Sequence, residues 1–298
     1  HEQNSSIKQY EFDEISEICQ MIDDYCDIEN IFYLKDHISS LCQKFKEKYK
    51  FSEYCFNNSF ISKSSLMYLI GLYSHESIPE QFRWDLVAFF VDASFHSHDF
   101  SVYFCSNSSA LKCAKDAFAD PKRHINNIKR FDILTKLMFN IVSDCPTFFE
   151  TSYINELTIK AFQNKSTPLP SQIIDKYSFF LMNFFRFYTA QEAIEIFDQD
   201  NITMIKNLKL WFDVTGGYTF EHMMWCFYFW FINSSTFMPI FYETYFFNII
   251  INHFQTNFDF NETCLRISLA VATISLFTDN DDYIQQIYES LPIYNIIS

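Results

Sequence analysis

Apolar residues recur along most of this chain with the spacing of helices. Leu265, Leu269, Ala272 and Leu276 fall at i, i+4, i+7 and i+11, and Ile267, Val271 and Ile274 form a second stripe on the same segment. A helix apolar on two faces is sandwiched between neighbours. Start signals agree with this reading. Asp120-Pro121 and Ile78-Pro79 each place proline in a first helical turn, where its missing N–H costs nothing, and Ser171 follows the loop "NKSTPLP" as an N-cap. Only three glycines (Gly71, Gly216, Gly217) and seven prolines occur, too few for the tight turns of a β-rich fold. The pattern predicts an all-α chain.

The helical pattern also repeats. "FFETSYINEL" (148–157), "IFDQDNITMI" (196–205), "IFYETYFFNII" (240–250) and "IYESLPIYNII" (287–297) each run from apolar residues through one acid and a short break into a new apolar helix. The acids Glu150, Asp198, Glu243 and Glu289 stand 48, 45 and 46 residues apart. A further unit falls at 80–118, with Trp84 in its long helix, and residues 1–78 have no clear register. In the last repeat, 262–277 reads as a long helix and "TDND" (278–281) as a turn with Asp281 as N-cap. "DYIQQIYES" then forms a short helix, and "PIYNIIS" starts the next. One such module cannot bury its own apolar stripes, so modules stack and the stack leaves an extended groove.

A long helix, a polar turn, a Gln-containing short helix ending in an acid, and Leu-Pro resemble the armadillo repeats of the importin-α and β-catenin superfamily. The resemblance is best over the last 80 or so residues and extends back to about 130. It implies a right-handed α-solenoid of three-helix repeats: a single repeat domain over 1–298, with irregular or capping helices in 1–78 and about five repeats in 79–298, the last incomplete. It also implies that the third helix of each repeat lines a concave face. Importin-α proteins carry there a Trp and, four residues on, an Asn that fixes a bound peptide's backbone. Trp225 stands at the Trp place; Asn140 and Asn183 stand four residues and one residue from the Asn place. With Arg186 and Arg266, these are the groove residues the resemblance points to.

Composition narrows the function. Thirty-seven acidic against 22 basic residues give a formal net charge of −15. Such a surface repels phosphate, which disfavours nucleic acid and anionic membrane and leaves basic peptides as permitted partners. The clusters "QKFKEKYK" (43–50) and "KRHINNIKR" (122–130) read as solvated helix faces. "MMWCFYFWFI" (223–232), stopped by Asn233-Ser234-Ser235, is far shorter than the ~20 residues of a membrane span and reads as a buried helix rather than a stacking platform for bases. Nine cysteines without a C-x-x-C pair suit reduced core thiols in a cytoplasmic or nuclear protein, although seven N-x-[ST] sequons also occur. The chain opens on His1 rather than Met, as a fragment or a processed product does.

No P-loop, Rossmann fingerprint, H-E-x-x-H or G-x-S-x-G is present. The expectation is therefore a non-enzymatic scaffold, without cofactor, that binds a partner protein or peptide along its groove. Three alternatives stand beside it: a nuclear-import-like adaptor for basic peptides, a structural subunit of a larger assembly, and a metal-dependent protein centred on "FHSHDF". In the last of these, His96, His98 and Asp99 would supply imidazole and carboxylate ligands.

Overall fold

The structure is a computed structural model. It describes residues 2–26, 28–47, 49–162, 169–187, 210–211 and 218–233, with the single positions 281, 285 and 289. Twelve α-helices and two short 3-10 turns occur among the described residues, and no strand does. The chain divides into two compact units, His1–Phe148 and Phe149–Ser298.

The first unit holds α1 (Glu2–Asp24), α2 (Ile31–Glu47), α3 (Tyr49–Asn57), α4 (Lys63–Tyr73), α5 (Glu80–His96), α6 (His98–Ser106), α7 (Ser108–Phe118), α8 (Pro121–Ile125) and α9 (Ile128–Asp144). Small polar residues punctuate it. Ser62, Ser97, Asn107, Asp120 and Asn127 each sit one residue before a helix, and each side chain accepts a hydrogen bond from a backbone N–H of the first turn. Ser97 and Asn107 also end the preceding helices, so α5, α6 and α7 turn through single-residue joints. Pro121 occupies the first turn of α8 as expected. Pro79 lies one position earlier than expected, as the capping residue of α5.

Aromatic side chains fill this unit's interior. Phe90 of α5 lies within ring-contact distance of Tyr73 on α4 and of Phe100 and Phe104 on α6, at 5.8, 5.3 and 5.6 Å between centroids. All four rings are buried. Near α8, His124 is buried against Phe131 at 3.9 Å, and its Nε2 lies 3.2 Å from the Phe118 carbonyl; burial holds its pKa below the usual histidine range.

The second unit includes α10 (Thr151–Phe162), α11 (Ser171–Phe187) and α12 (Thr219–Asn233). Glu150 precedes α10, and its carbonyl accepts from Tyr153 and Ile154. Ser171 is the first residue of α11 rather than its cap. The apolar run 223–232 forms most of α12; Met223, Met224 and Cys226 are fully buried, and the helix stops at Asn233. Among the described residues no helix is long and apolar enough to cross a membrane. Trp211 is buried edge-on to Phe162 at 4.9 Å and donates its indole N–H to Thr158 Oγ1 at 3.2 Å.

A long helix recurs through both units. Helices α2, α5, α9 and α11 have 17 residues each and α12 has 15. They begin at residues 31, 80, 128, 171 and 219, at intervals of 43 to 49. Within the first unit α2 packs on α5 and α5 on α9; within the second α11 packs on α12. Polar ties join these partners across about one interval: Ser39 Oγ donates to Asp85, Asn140 Nδ2 to Val91 O, and Thr219 Oγ1 to Asp175. The all-α, helical-repeat character read from the sequence is therefore present. Of the four acid landmarks, Glu150 and Glu289 are described; Asp198, Glu243 and the remaining register of 234–298 lie outside the described residues. Asp281, expected as a cap, is itself helical, and it shares an exposed i, i+4, i+8 spacing with Gln285 and Glu289.

Candidate functional site

In the first unit the long helices α2, α5 and α9 lie side by side, with α5 in the middle. The partly exposed residues of α5 are where a groove lining would be sought. At its N-terminal end is Trp84, whose indole N–H reaches Glu80 Oε1 at 3.4 Å. Arg130 of α9 lies over the Trp84 ring at 5.4 Å and donates to Glu80 Oε1 at 3.1 Å and to Gln81 Oε1 at 3.0 Å. A cation–π contact and two hydrogen bonds thus tie one long helix to the next. The ring face is covered by a residue of the chain itself.

Two turns further along α5, Asp92 faces Lys46 of α2 and Lys136 of α9 electrostatically. Burial pushes its carboxyl up to about 6, and the two lysines pull the other way without cancelling that effect. At the end of the helix Phe95 is 59% exposed. Asn140, which the resemblance would place in a groove, is buried instead, donating to Val91 O at 3.1 Å and to Ser94 Oγ at 3.0 Å.

The other groove candidates are dispersed. Asn183 is buried in α11, and its Nδ2 donates to Phe179 O one turn back at 2.8 Å. Arg186 is exposed, with its guanidinium 5.3 Å from the Phe187 ring. Trp225 is half-buried and stacks on Phe229 at 5.6 Å between centroids. Arg266 lies outside the described residues. The physical reason for the inward turn of the two asparagines is the same in both cases. Each sits on the side of its helix that packs against neighbours, and a buried amide there must spend its N–H groups within the protein.

The "FHSHDF" residues point in different directions. His96 ends α5 and shares a 2.9 Å hydrogen bond with Ser52 Oγ of α3, while its ring stacks on Phe56. His98 Nδ1 lies 3.6 Å from Asp144 Oδ1 at the end of α9. Between the two histidines, Ser97 serves as a helix joint, which separates them. Among the described residues no group of three or more His, Cys, Asp or Glu side chains stands close enough to hold a metal ion.

Cysteines line the interior. Cys19, Cys42, Cys55, Cys105, Cys145 and Cys226 are buried, and Cys26 and Cys113 are partly so. Cys19 on α1 meets Cys55 on α3, and Cys105 on α6 meets Cys145 after α9. The thiol contact, reinforced by burial, drives Cys19 and Cys105 far above the usual range. Burial does the same to Cys226 and, with the carboxylates of Asp92 and Asp85 adding to it, to Cys42. Thiols held protonated in this way are poor nucleophiles.

One feature of the second unit has the residue types of a hydrolase. Ser178 Oγ lies 2.9 Å from His222 Nδ1, and Asp175 is close enough to act on the imidazole. The geometry differs from a catalytic set. Ser178 is fully buried and donates to the Asp175 carbonyl one turn back at 2.9 Å, and burial holds His222 below the usual histidine range. The trio clamps α11 to α12.

No protein-family model matches the chain, and no curated protein is similar to it. Among solved structures, a crystal structure of an engineered protein from the Northeast Structural Genomics Consortium is similar. The TM-score is 0.56 at 8% identity, over 93% of this chain and 97% of that one. At so low an identity the likeness concerns the fold, and it extends across nearly the whole of both chains.

Proposed function

We propose that this chain is a non-enzymatic protein-binding scaffold, an armadillo-like α-solenoid of three-helix repeats that receives a partner protein or peptide along its long-helix face. The observation that carries this reading is the recurrence of long helices every 43 to 49 residues, with α2, α5 and α9 packed in order in the first unit and α11 on α12 in the second, tied across one interval. An array of that kind extends a surface in one dimension, and extended surfaces suit elongated partners. The negative charge supports a basic partner over an acidic one. This favours the adaptor for basic peptides as the second reading, although Trp84 is occupied by Arg130 and Asn140 is turned inward.

The test is affinity capture on the immobilised chain, followed by titration of each recovered protein in purified form. A saturable, stoichiometric complex is the expected result. Recovery of no partner that binds in purified form would count against the scaffold reading.

A further inference from the structure

Several large apolar side chains exposed among the described residues lie on separate helices: Met67, Phe95, Ile125 and Ile159. The corner between α1 and α2 is different. Tyr25 stacks on Tyr33 at 5.6 Å and on His37 at 6.0 Å between ring centroids. Phe32 beside them is 79% exposed and Tyr33 61% exposed, and Met21 adjoins Tyr25 one turn earlier on α1. On α2 the residues Phe32, Tyr33, Asp36 and His37 fall at i, i+1, i+4 and i+5, which is one helix face. On α1, Glu17, Met21 and Asp24 fall at i, i+4 and i+7, again one helix face, and Tyr25 follows directly after the helix. The Tyr25 stack joins the two faces into one surface.

Charge is concentrated at the same place. Residues 11–37 contain nine carboxylates and one lysine, Lys35, a local balance of −8 within a chain total of −15. Glu14 pairs with Lys44 at 2.6 Å, Asp23 accepts from Ser62 N and Oγ, and Asp24, though exposed, accepts from Gln20 Nε2 one turn back at 2.9 Å. Glu17, Asp24 and Asp36 are exposed on the same two helices as the rings. Exposed aromatic faces cost water contact without internal gain, so a cluster of them marks an interaction surface. With carboxylates on the same two helices, it repels a second copy of this acidic chain and any phosphate-bearing surface. It attracts lysine and arginine, whose aliphatic stems cover the rings while their heads meet carboxylates.

We infer that the Tyr25–Phe32–Tyr33–His37 surface, flanked by Asp24 and Asp36, docks a lysine- and arginine-rich peptide segment of a partner protein. This deepens the protein-binding reading and rests on it, but it locates contact at the α1–α2 corner rather than on the face of α5.

The experiment is a fluorescence-anisotropy titration of the whole chain with a labelled Lys/Arg-rich peptide, with an Asp/Glu-rich peptide as control. Wild type is expected to bind the basic peptide only, with an affinity that falls about tenfold or more as salt screens the carboxylates. The F32S/Y33S double variant should weaken binding about tenfold or more, in line with loss of aromatic anchors. Both side chains are mostly exposed, so far-UV circular dichroism should be unchanged; the charge reversal D24K/D36K gives an independent second variant and should weaken binding as strongly. Basic-peptide binding that neither variant disturbs would overturn the location while leaving the scaffold reading standing. Absence of basic-peptide binding at low salt, alongside a stoichiometric partner from affinity capture, would overturn the inference alone.

Discussion

Asn140 is where a groove role and a structural role make opposite predictions. Its amide links α9 to α5 through Val91 O and Ser94 Oγ at 3.1 and 3.0 Å. Two buried hydrogen bonds at about 0.5–1.5 kcal/mol each give a loss of about 2 kcal/mol for Asn140→Ala. Alanine's better helix propensity returns about 0.6 kcal/mol, leaving a net destabilisation of about 1.5 kcal/mol. Ser94 Oγ also donates to Val91 O at 3.1 Å, so Ser94→Ala should cost about 1 kcal/mol. Because the two residues share a bond, the double variant should cost less than the sum, with a coupling of about 0.5–1 kcal/mol. Urea unfolding followed by fluorescence and far-UV ellipticity reads these values as shifts in midpoint at constant slope. Trp84 is the single tryptophan of residues 1–148, which helps assign the transition to the first unit. An Asn140→Ala protein within about 0.3 kcal/mol of wild type that lost partner binding would refute this reasoning.

Asp92 gives a pH-dependent test. Its carboxyl is raised to about 6, above an unfolded value of about 3.9. The folded state therefore holds the proton more tightly, and stability contributed by this group falls as pH rises from about 4 to 6. Asp92→Asn should accordingly stabilise the protein at pH 7.5 by on the order of 2 kcal/mol, and the gain should vanish near pH 4, as read by urea midpoints at the two pH values. Phe90→Ala removes a fully buried ring in contact with Tyr73, Phe100 and Phe104, and should cost about 3–5 kcal/mol in the same assay. A loss below about 1 kcal/mol would mean that the α4–α5–α6 interior is not packed as described.

The repeat was legible because it is written in apolar spacing and in small polar breaks. Asp120-Pro121 opens a helix as those residue types must, and of the apolar run 223–232 the side chains of Met223, Met224 and Cys226 are buried. The long helix α2 is not legible in the sequence because Phe32 and Tyr33, apolar by type, face outward and blur the stripe made by Leu34, Ile38, Leu41 and Phe45. Site residues were harder. The partners Trp84 and Arg130 are 46 residues apart in sequence, and nothing local marks them as a pair. Asn140 and Asn183 stand four residues and one residue from the Asn place that the resemblance implies. Spacing along one helix does not say which neighbour a side chain meets, and both amides turned inward. His96 and His98 share a hexapeptide, yet the helix joint at Ser97 sends them to different partners.

The central claim is that, within each unit, long helices one interval apart are direct neighbours. Nuclear Overhauser contacts from the Trp84 indole protons test it most simply, since Trp84 alone among the tryptophans belongs to residues 1–148. With the guanidinium 5.4 Å above the ring, cross-peaks to the Arg130 side chain are expected, with those protons shifted upfield by the ring current. Contacts confined to residues of α5 itself, with Arg130 at unshifted positions, would contradict the stacking of α5 on α9.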